Sequence, residues 1–249
     1  EPQIGIANLP ATSPEATAIS LGVTGSIFTG GDTFTWTIVR GTDVFSTGTG
    51  ISFTFVPPDD DDYLVTLDVA SGDGRTRRAS GTVVVTDVPP TLTLSGAATV
   101  AEGSIYTLNL SVSDPGTDSI NSWSVDWGDG TDVQVVSGNP ASVTHVNANG
   151  PAEYAISAQA VNEDGSFAAG NTIDVTVANV APTVAINGLP ASRPEGTTLN
   201  LTATVTDPGS EQFTYAWTVT KDGVPYAAGT NATFAFTPDD GPAAYQVTL

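Results

Sequence analysis

Three times in 249 residues the chain runs through the same succession of alternating apolar residues, a tryptophan and a later tyrosine, and an internal repeat of this length constrains the fold more than any single motif. The copies begin "IANLPATSPEATAISLGVT" at 6–24, "LSGAATVAEGSIYTLNLSVS" at 94–113 and "INGLPASRPEGTTLNLTATVT" at 186–206. Trp36, Trp123 and Trp217 are spaced 87 and 94 residues apart, and Tyr63, Tyr154 and Tyr245 are spaced 91 and 91. Short Pro-containing stretches, "TDVPPT" at 86–91 and "ANVAPT" at 178–183, separate the copies. The expected units are therefore 1–88, 89–181 and 182–249, the last stopping at the position equivalent to Leu67 and so expected to lack its final strand.

Within each unit the apolar residues follow a period of two, as in strands with one buried face. Tyr106, Leu108, Leu110 and Val112 share a face, as do Leu199, Leu201, Ala203 and Val205, and Thr fills many outward positions. No segment carries a helical period. Seven or so short strands per unit, with a Trp on the third and a Tyr late in the unit, predict an all-β chain of tandem immunoglobulin-like sandwiches arranged end to end, with strands lettered A to G in order.

Composition narrows the chemistry. There is no Cys, so no disulfide, zinc–thiolate site or cysteine nucleophile is available. Asp and Glu number 27 against 6 Lys and Arg, a net charge of −21, which argues against phosphate-backbone binding and hence against nucleic acid. No run approaches the ~18 apolar residues of a membrane helix, so no membrane contact is expected of this segment. The one histidine, His145, aligns with Phe55 and Phe236 on an inward strand position, which suits a core histidine with one hydrogen-bond partner rather than a general base. No catalytic residue and no organic cofactor is expected.

The segment "VDWGDG" at 125–130 reads as a hairpin: Trp123, Val125 and Trp127 alternate inward, and the glycines and aspartates turn the chain. Unit three has "KDG" and unit one "RGTD" at the equivalent place, so a turn is common to all copies and the two aspartates are not. "SWSVDWGDG" resembles the WDFGDG-type signature of polycystic-kidney-disease (PKD) domains. The pattern "NVAPT…PEGT…DPG…YAWTVTKDG…FTPDD" of unit three resembles PKD-like repeats of large bacterial surface proteins. That resemblance implies extracellular β-sandwich modules serving as spacers and adhesion or ligand-binding elements, without catalysis.

The acids recur at fixed places. Glu15, Glu102 and Glu195 follow strand A; Asp114 and Asp207 follow strand B, each before Pro-Gly; Asp59, Asp60, Asp61 and Asp62 precede Tyr63; Asp87 and Asn179 occupy the linkers; Asp164 follows strand F. Sandwich topology puts the A–B and E–F loops at the trailing end of a unit and the B–C and F–G loops at the leading end of the next. Glu15, Asp59, Asp60, Asp61 and Asp87 are thus expected to approach Asp114 and Asp164, and Glu102 and Asn179 to approach Asp207. The arrangement is similar to that of cadherin repeats, which bind calcium between domains. Carboxylates so gathered repel unless neutralised, cations of the chain are scarce, and calcium takes 6–8 oxygen ligands. The expected cofactor is calcium at the junctions. The expected role is a calcium-stiffened stalk or adhesion scaffold of an extracellular or cell-surface protein. The alternatives are a carbohydrate-binding accessory array, which needs an exposed aromatic row including Trp127, and a self-assembling surface-layer or filament subunit. The neighbouring repeats are the first partners; cell-surface glycans, proteins or further copies are the others.

Overall fold

A computed structural model describes residues 3–25 and 31–249, and every regular element in it is a β-strand. In unit one these are β1 (Ile4–Ala7), β2 (Thr12–Pro14), β3 (Ile19–Gly25), β4 (Thr33–Arg40), β5 (Asp43–Thr49), β6 (Ser52–Phe55), β7 (Asp61–Ala70) and β8 (Thr76–Thr86). Unit two contains β9 (Thr91–Gly96), β10 (Thr99–Ala101), β11 (Ile105–Ser113), β12 (Ser122–Asp126), β13 (Gln134–Ser137), β14 (Ser142–Val146), β15 (Ala152–Val161), β16 (Ser166–Ala168) and β17 (Ile173–Ala178). Unit three contains β18 (Thr183–Asn187), β19 (Leu199–Thr206), β20 (Trp217–Lys221), β21 (Val224–Gly229), β22 (Thr233–Phe236) and β23 (Tyr245–Thr248).

The pairing repeats from unit to unit. One sheet of unit one runs β1-β3-β6 and the other β2-β8-β7-β4-β5; in unit two the sheets run β9-β11-β14 and β10-β17-β15-β12-β13, with β16 also on β15. Neighbours are antiparallel except β2 with β8 and β10 with β17, where the first strand has crossed to the second sheet and lies parallel to the last. This is the immunoglobulin-like arrangement of two facing sheets. Unit three has β18-β19-β22 facing β21-β20-β23.

Each unit has its own core, because the inward half of each alternating strand can be buried only against the opposite sheet. Trp36, Trp123 and Trp217 are fully buried and occupy the same place in the three cores. Each indole N–H reaches an acceptor: Gly50 O at 2.9 Å, Asn139 Oδ1 at 3.1 Å and Asn231 O at 2.8 Å. The third core is the smallest, with Leu199, Leu201, Trp217, Val219 and Phe236 buried. No helix of the described residues is long and apolar enough to cross a membrane.

The "VDWGDG" segment is the turn leaving β12. Asp126 Oδ1 accepts from Gly128 N at 2.9 Å, Asp129 Oδ1 accepts from Thr131 N at 3.0 Å, and Gly128 and Gly130 have φ of 72° and 83°. At Gly128 a Cβ would sit 2.6 Å from Ala155 O, so that position needs glycine for space as well as for φ. Asp129 has a second role. Its Oδ2 lies 2.7 Å from His145 Nε2, and the imidazole stacks on the buried Trp127 at 4.7 Å. His145 is thus a structural partner of the turn, tied to it through Asp129.

Candidate metal centre

A glutamate near the start of each unit, Glu15, Glu102 and Glu195, is followed by a residue with a left-handed backbone, Ala16 (φ 53°), Gly103 (φ 67°) and Gly196 (φ 71°); the first two glutamates are buried and the third is exposed. That residue's N–H bonds the loop before the late Tyr strand in every unit, at Pro57 O, Asn147 O and Pro238 O. The glutamates then clamp backbone. Glu102 uses both oxygens, Oε1 on Val180 N and Oε2 on Gly150 N, each at 2.6 Å. Glu195 Oε2 accepts from Gly241 N at 2.8 Å. Glu15 Oε1 accepts from Val88 N at 2.9 Å, but its Oε2 is buried without a hydrogen-bond partner. Aligned on the Tyr, Asp59 stands where the donors Gly150 and Gly241 stand, and its N–H makes no such bond to Glu15.

Beyond Glu15 lies unit two. Asp114 Oδ1 accepts from Gly116 N at 2.8 Å, so Asp-Pro-Gly folds back on itself and Thr117 N bonds Pro58 O across the seam at 2.9 Å. A side chain at residue 116 would land on the Glu15 carboxylate. Glu15, Asp114 and Asp118 form one group and Asp87, Asp118 and Asp164 another; in each group one oxygen per residue lies within 4.8 Å of the others. Glu15 Oε2, Asp87 Oδ1, Asp114 Oδ2 and Asp118 Oδ1 are all buried without a hydrogen-bond partner.

The second seam is built the same way with a different polar set. Glu102, Asp207 and Glu211 meet within the same 4.8 Å limit, Asp207 Oδ1 accepts from Gly209 N at 2.7 Å, and Gly103 lies so close to Pro208 that a Cβ would come within 2.6 Å of it. Glu211 Oε2 is buried without a partner. With its amide oriented to suit the network, Asn179 donates to Gly150 O at 3.2 Å and to Glu211 Oε1 at 3.3 Å.

Of the residues singled out from sequence, Glu15, Asp87, Asp114 and Asp164 come together at the first seam, and Glu102 and Asp207 at the second. Asn179 stands beside the second group as a hydrogen-bond donor. Asp59 and Asp61 lie in neither group; Arg40 pairs with both, at 2.6 and 3.1 Å. Asp60 belongs to neither group and lies at the edge of the first seam, close enough to be raised by Asp164 after desolvation. Asp118 and Glu211 were missed. Each stands four residues after the Asp of an Asp-Pro-Gly turn, and "DPGTD" beside "DPGSE" was the available signal.

The first seam is electrostatically strained in the absence of a cation. Burial, and then the charges of Glu15, Asp114, Asp164 and Glu163, push Asp118 up to about 7. Burial raises Glu15, against the Val88 N–H, with Asp114 and Asp87 adding to it. Asp87 is raised by burial and then by Asp164 and Asp114. At the second seam the backbone N–H of Val180 holds Glu102 down. Glu211 is raised: its own backbone N–H lowers it, and desolvation with Glu102 and Asp207 outweighs that. An acid raised on folding costs stability once it ionises, and the cost disappears below its unfolded pKa of about 4. In chelator, the melting temperature of the chain is therefore expected to fall as pH rises from about 4 towards 7 and to level off above the Asp118 value. Saturating calcium should flatten that slope. Calorimetry across this pH range in chelator checks the sign, and a melting temperature that rises with pH would contradict it.

No protein-family model matches the chain, and no curated protein matches it. Solved structures similar to it include a tetra-tandem repeat in the extending region of a large adhesion protein, at 15% identity over 96% of this chain and 66% of that one, with a TM-score of 0.44. The fibronectin(III)-like modules of Clostridium thermocellum CbhA match at 16% identity over 71% of this chain and 94% of that one, TM-score 0.32. The amphioxus IgVJ-C2 molecule matches at 14% identity over 67% and 99%, TM-score 0.38. Each is a likeness of all-β architecture at low identity.

Proposed function

We propose that this chain is a non-catalytic segment of a large extracellular or cell-surface protein, a stalk or adhesion scaffold of PKD-like modules whose seams are stiffened by calcium. The observation that carries the reading is the buried, unpartnered Glu15 Oε2, aimed from unit one into Asp114 and Asp118 of unit two. A buried carboxylate oxygen without a partner is costly. A hard cation with 6–8 oxygen ligands fits carboxylates supplemented by water, whereas the chain has no thiolate and its one histidine is committed to Asp129. The Pro-containing linkers limit the remaining backbone freedom, so an ion shared across the seam would fix the angle between units. Trp127 is only 3% exposed and so provides no platform for a sugar ring, which disfavours the carbohydrate-binding reading at that position.

The test is thermal. At a free calcium concentration about 100-fold above the dissociation constant, binding to the folded state alone contributes about 2.7 kcal/mol, on the order of 10–20 °C in melting temperature for units of this size. The expected result is a rise of that order between chelator and millimolar calcium, smaller with magnesium. Identical melts in all three buffers would remove the reading.

A further inference from the structure

The seam reading above leaves open how many ions a seam holds, and the first seam has the geometry for more than one. Resting on that reading, we propose that the first seam binds two divalent cations at once, with the Asp118 carboxylate bridging them, while the second seam within this chain offers a place for one. The two carboxylate groups at the first seam, Glu15–Asp114–Asp118 and Asp87–Asp118–Asp164, share Asp118 and nothing else. Asp118 Oδ1 is buried and free of hydrogen bonds, and Oδ2 accepts only Asn162 Nδ2 at 3.1 Å, so each oxygen keeps a lone pair for a cation. Each group also holds a buried oxygen with no partner besides that of Asp118: Glu15 Oε2 and Asp114 Oδ2 in the first, Asp87 Oδ1 in the second. Glu15 itself is only 2% exposed.

Charge supports the same number. Five carboxylates carry a formal charge of −5; one divalent ion leaves −3 in a partly buried place, and two leave −1. At the second seam three carboxylates meet, and one ion leaves the same −1. The linker residue that stands where Asp87 stands is Asn179, whose amide donates to Glu211 Oε1 and so cannot serve as a second anionic edge. Glu102 is also less available than Glu15, with both oxygens held by backbone N–H groups. The first seam is therefore the high-capacity one, and its two ions are coupled through one residue.

The experiment counts bound calcium on the full chain by native mass spectrometry and titration calorimetry, in a Glu211→Gln background that silences the second seam. The expected result is two ions in that background, one after Asp164→Asn or Asp87→Asn, and none, at the same free calcium, after Asp118→Asn. Asp164 is exposed, so its substitution does not disturb the core and keeps the count interpretable if Asp118→Asn impairs folding. A background that binds one ion, or an Asp118→Asn chain that loses only one, overturns the bridged pair and leaves the seam reading standing. A background and a wild-type chain that bind none overturn both.

Discussion

Trp123→Ala is expected to lower the unfolding transition of the middle unit by on the order of 10–40 °C while leaving those of the outer units in place. Trp123 is fully buried between the two sheets of unit two, on β12 paired to both β13 and β15. Truncating a buried aromatic to alanine costs about 3–5 kcal/mol, through lost transfer energy and the cavity left behind. Asn139 Oδ1 also loses its indole donor. A unit of this size has a total stability of about 5–14 kcal/mol, so the loss brings it close to unfolding. The three cores share no buried residue, so the damage stays local apart from the seams that unit two forms with its neighbours. Calorimetry of the full chain should show the middle transition lost or moved far down. The same transition at an unchanged temperature would mean that the tryptophan is not the centre of an independent core.

The cores were legible because burial on one face of a strand writes itself into sequence as alternation. Trp36, Val65, Leu108 and Leu201 are buried where the period of two puts them. The seam was legible at the level of loops, because sandwich topology dictates which loops share an end: Glu15 and Asp114 meet although nearly a hundred residues separate them. The positions of individual carboxylates within those loops are less legible. Asp59 and Asp61 resembled ligands by position, yet β4 pairs with β7 in a register that sets Arg40 opposite Tyr63, and the guanidinium reaches both acids. A pairing across 19 and 21 residues depends on register, which composition does not reveal. Asp118 and Glu211 are harder to find, because only the fold of the Asp-Pro-Gly turn returns the chain so that the residue four places on faces the same seam. The Asp129–His145 pair was hidden similarly, since alignment with Phe55 and Phe236 shows an inward position and not what that side chain can reach.

The second large effect is on the angle between units. Five carboxylates converge at the first seam, burial and neighbouring charge oppose ionisation of Glu15, Asp87 and Asp118 among them, and Thr117 N on Pro58 O is a hydrogen bond that joins the two units. On the proposed reading residues of both units would ligate the bound cations, and the seam should change from a hinge to a fixed joint. The chain has no Cys, so a pair of introduced thiols can be labelled without background. Thr47→Cys on β5 and Ser111→Cys on β11 are both outward positions, one in each unit. Pulsed electron–electron resonance between spin labels at these two sites reads the joint directly. A narrow distance distribution in millimolar calcium that broadens in chelator, and stays broad in calcium when Glu15→Gln and Asp118→Asn are added, is the predicted result; the same distribution in calcium and in chelator would contradict a cation-locked seam.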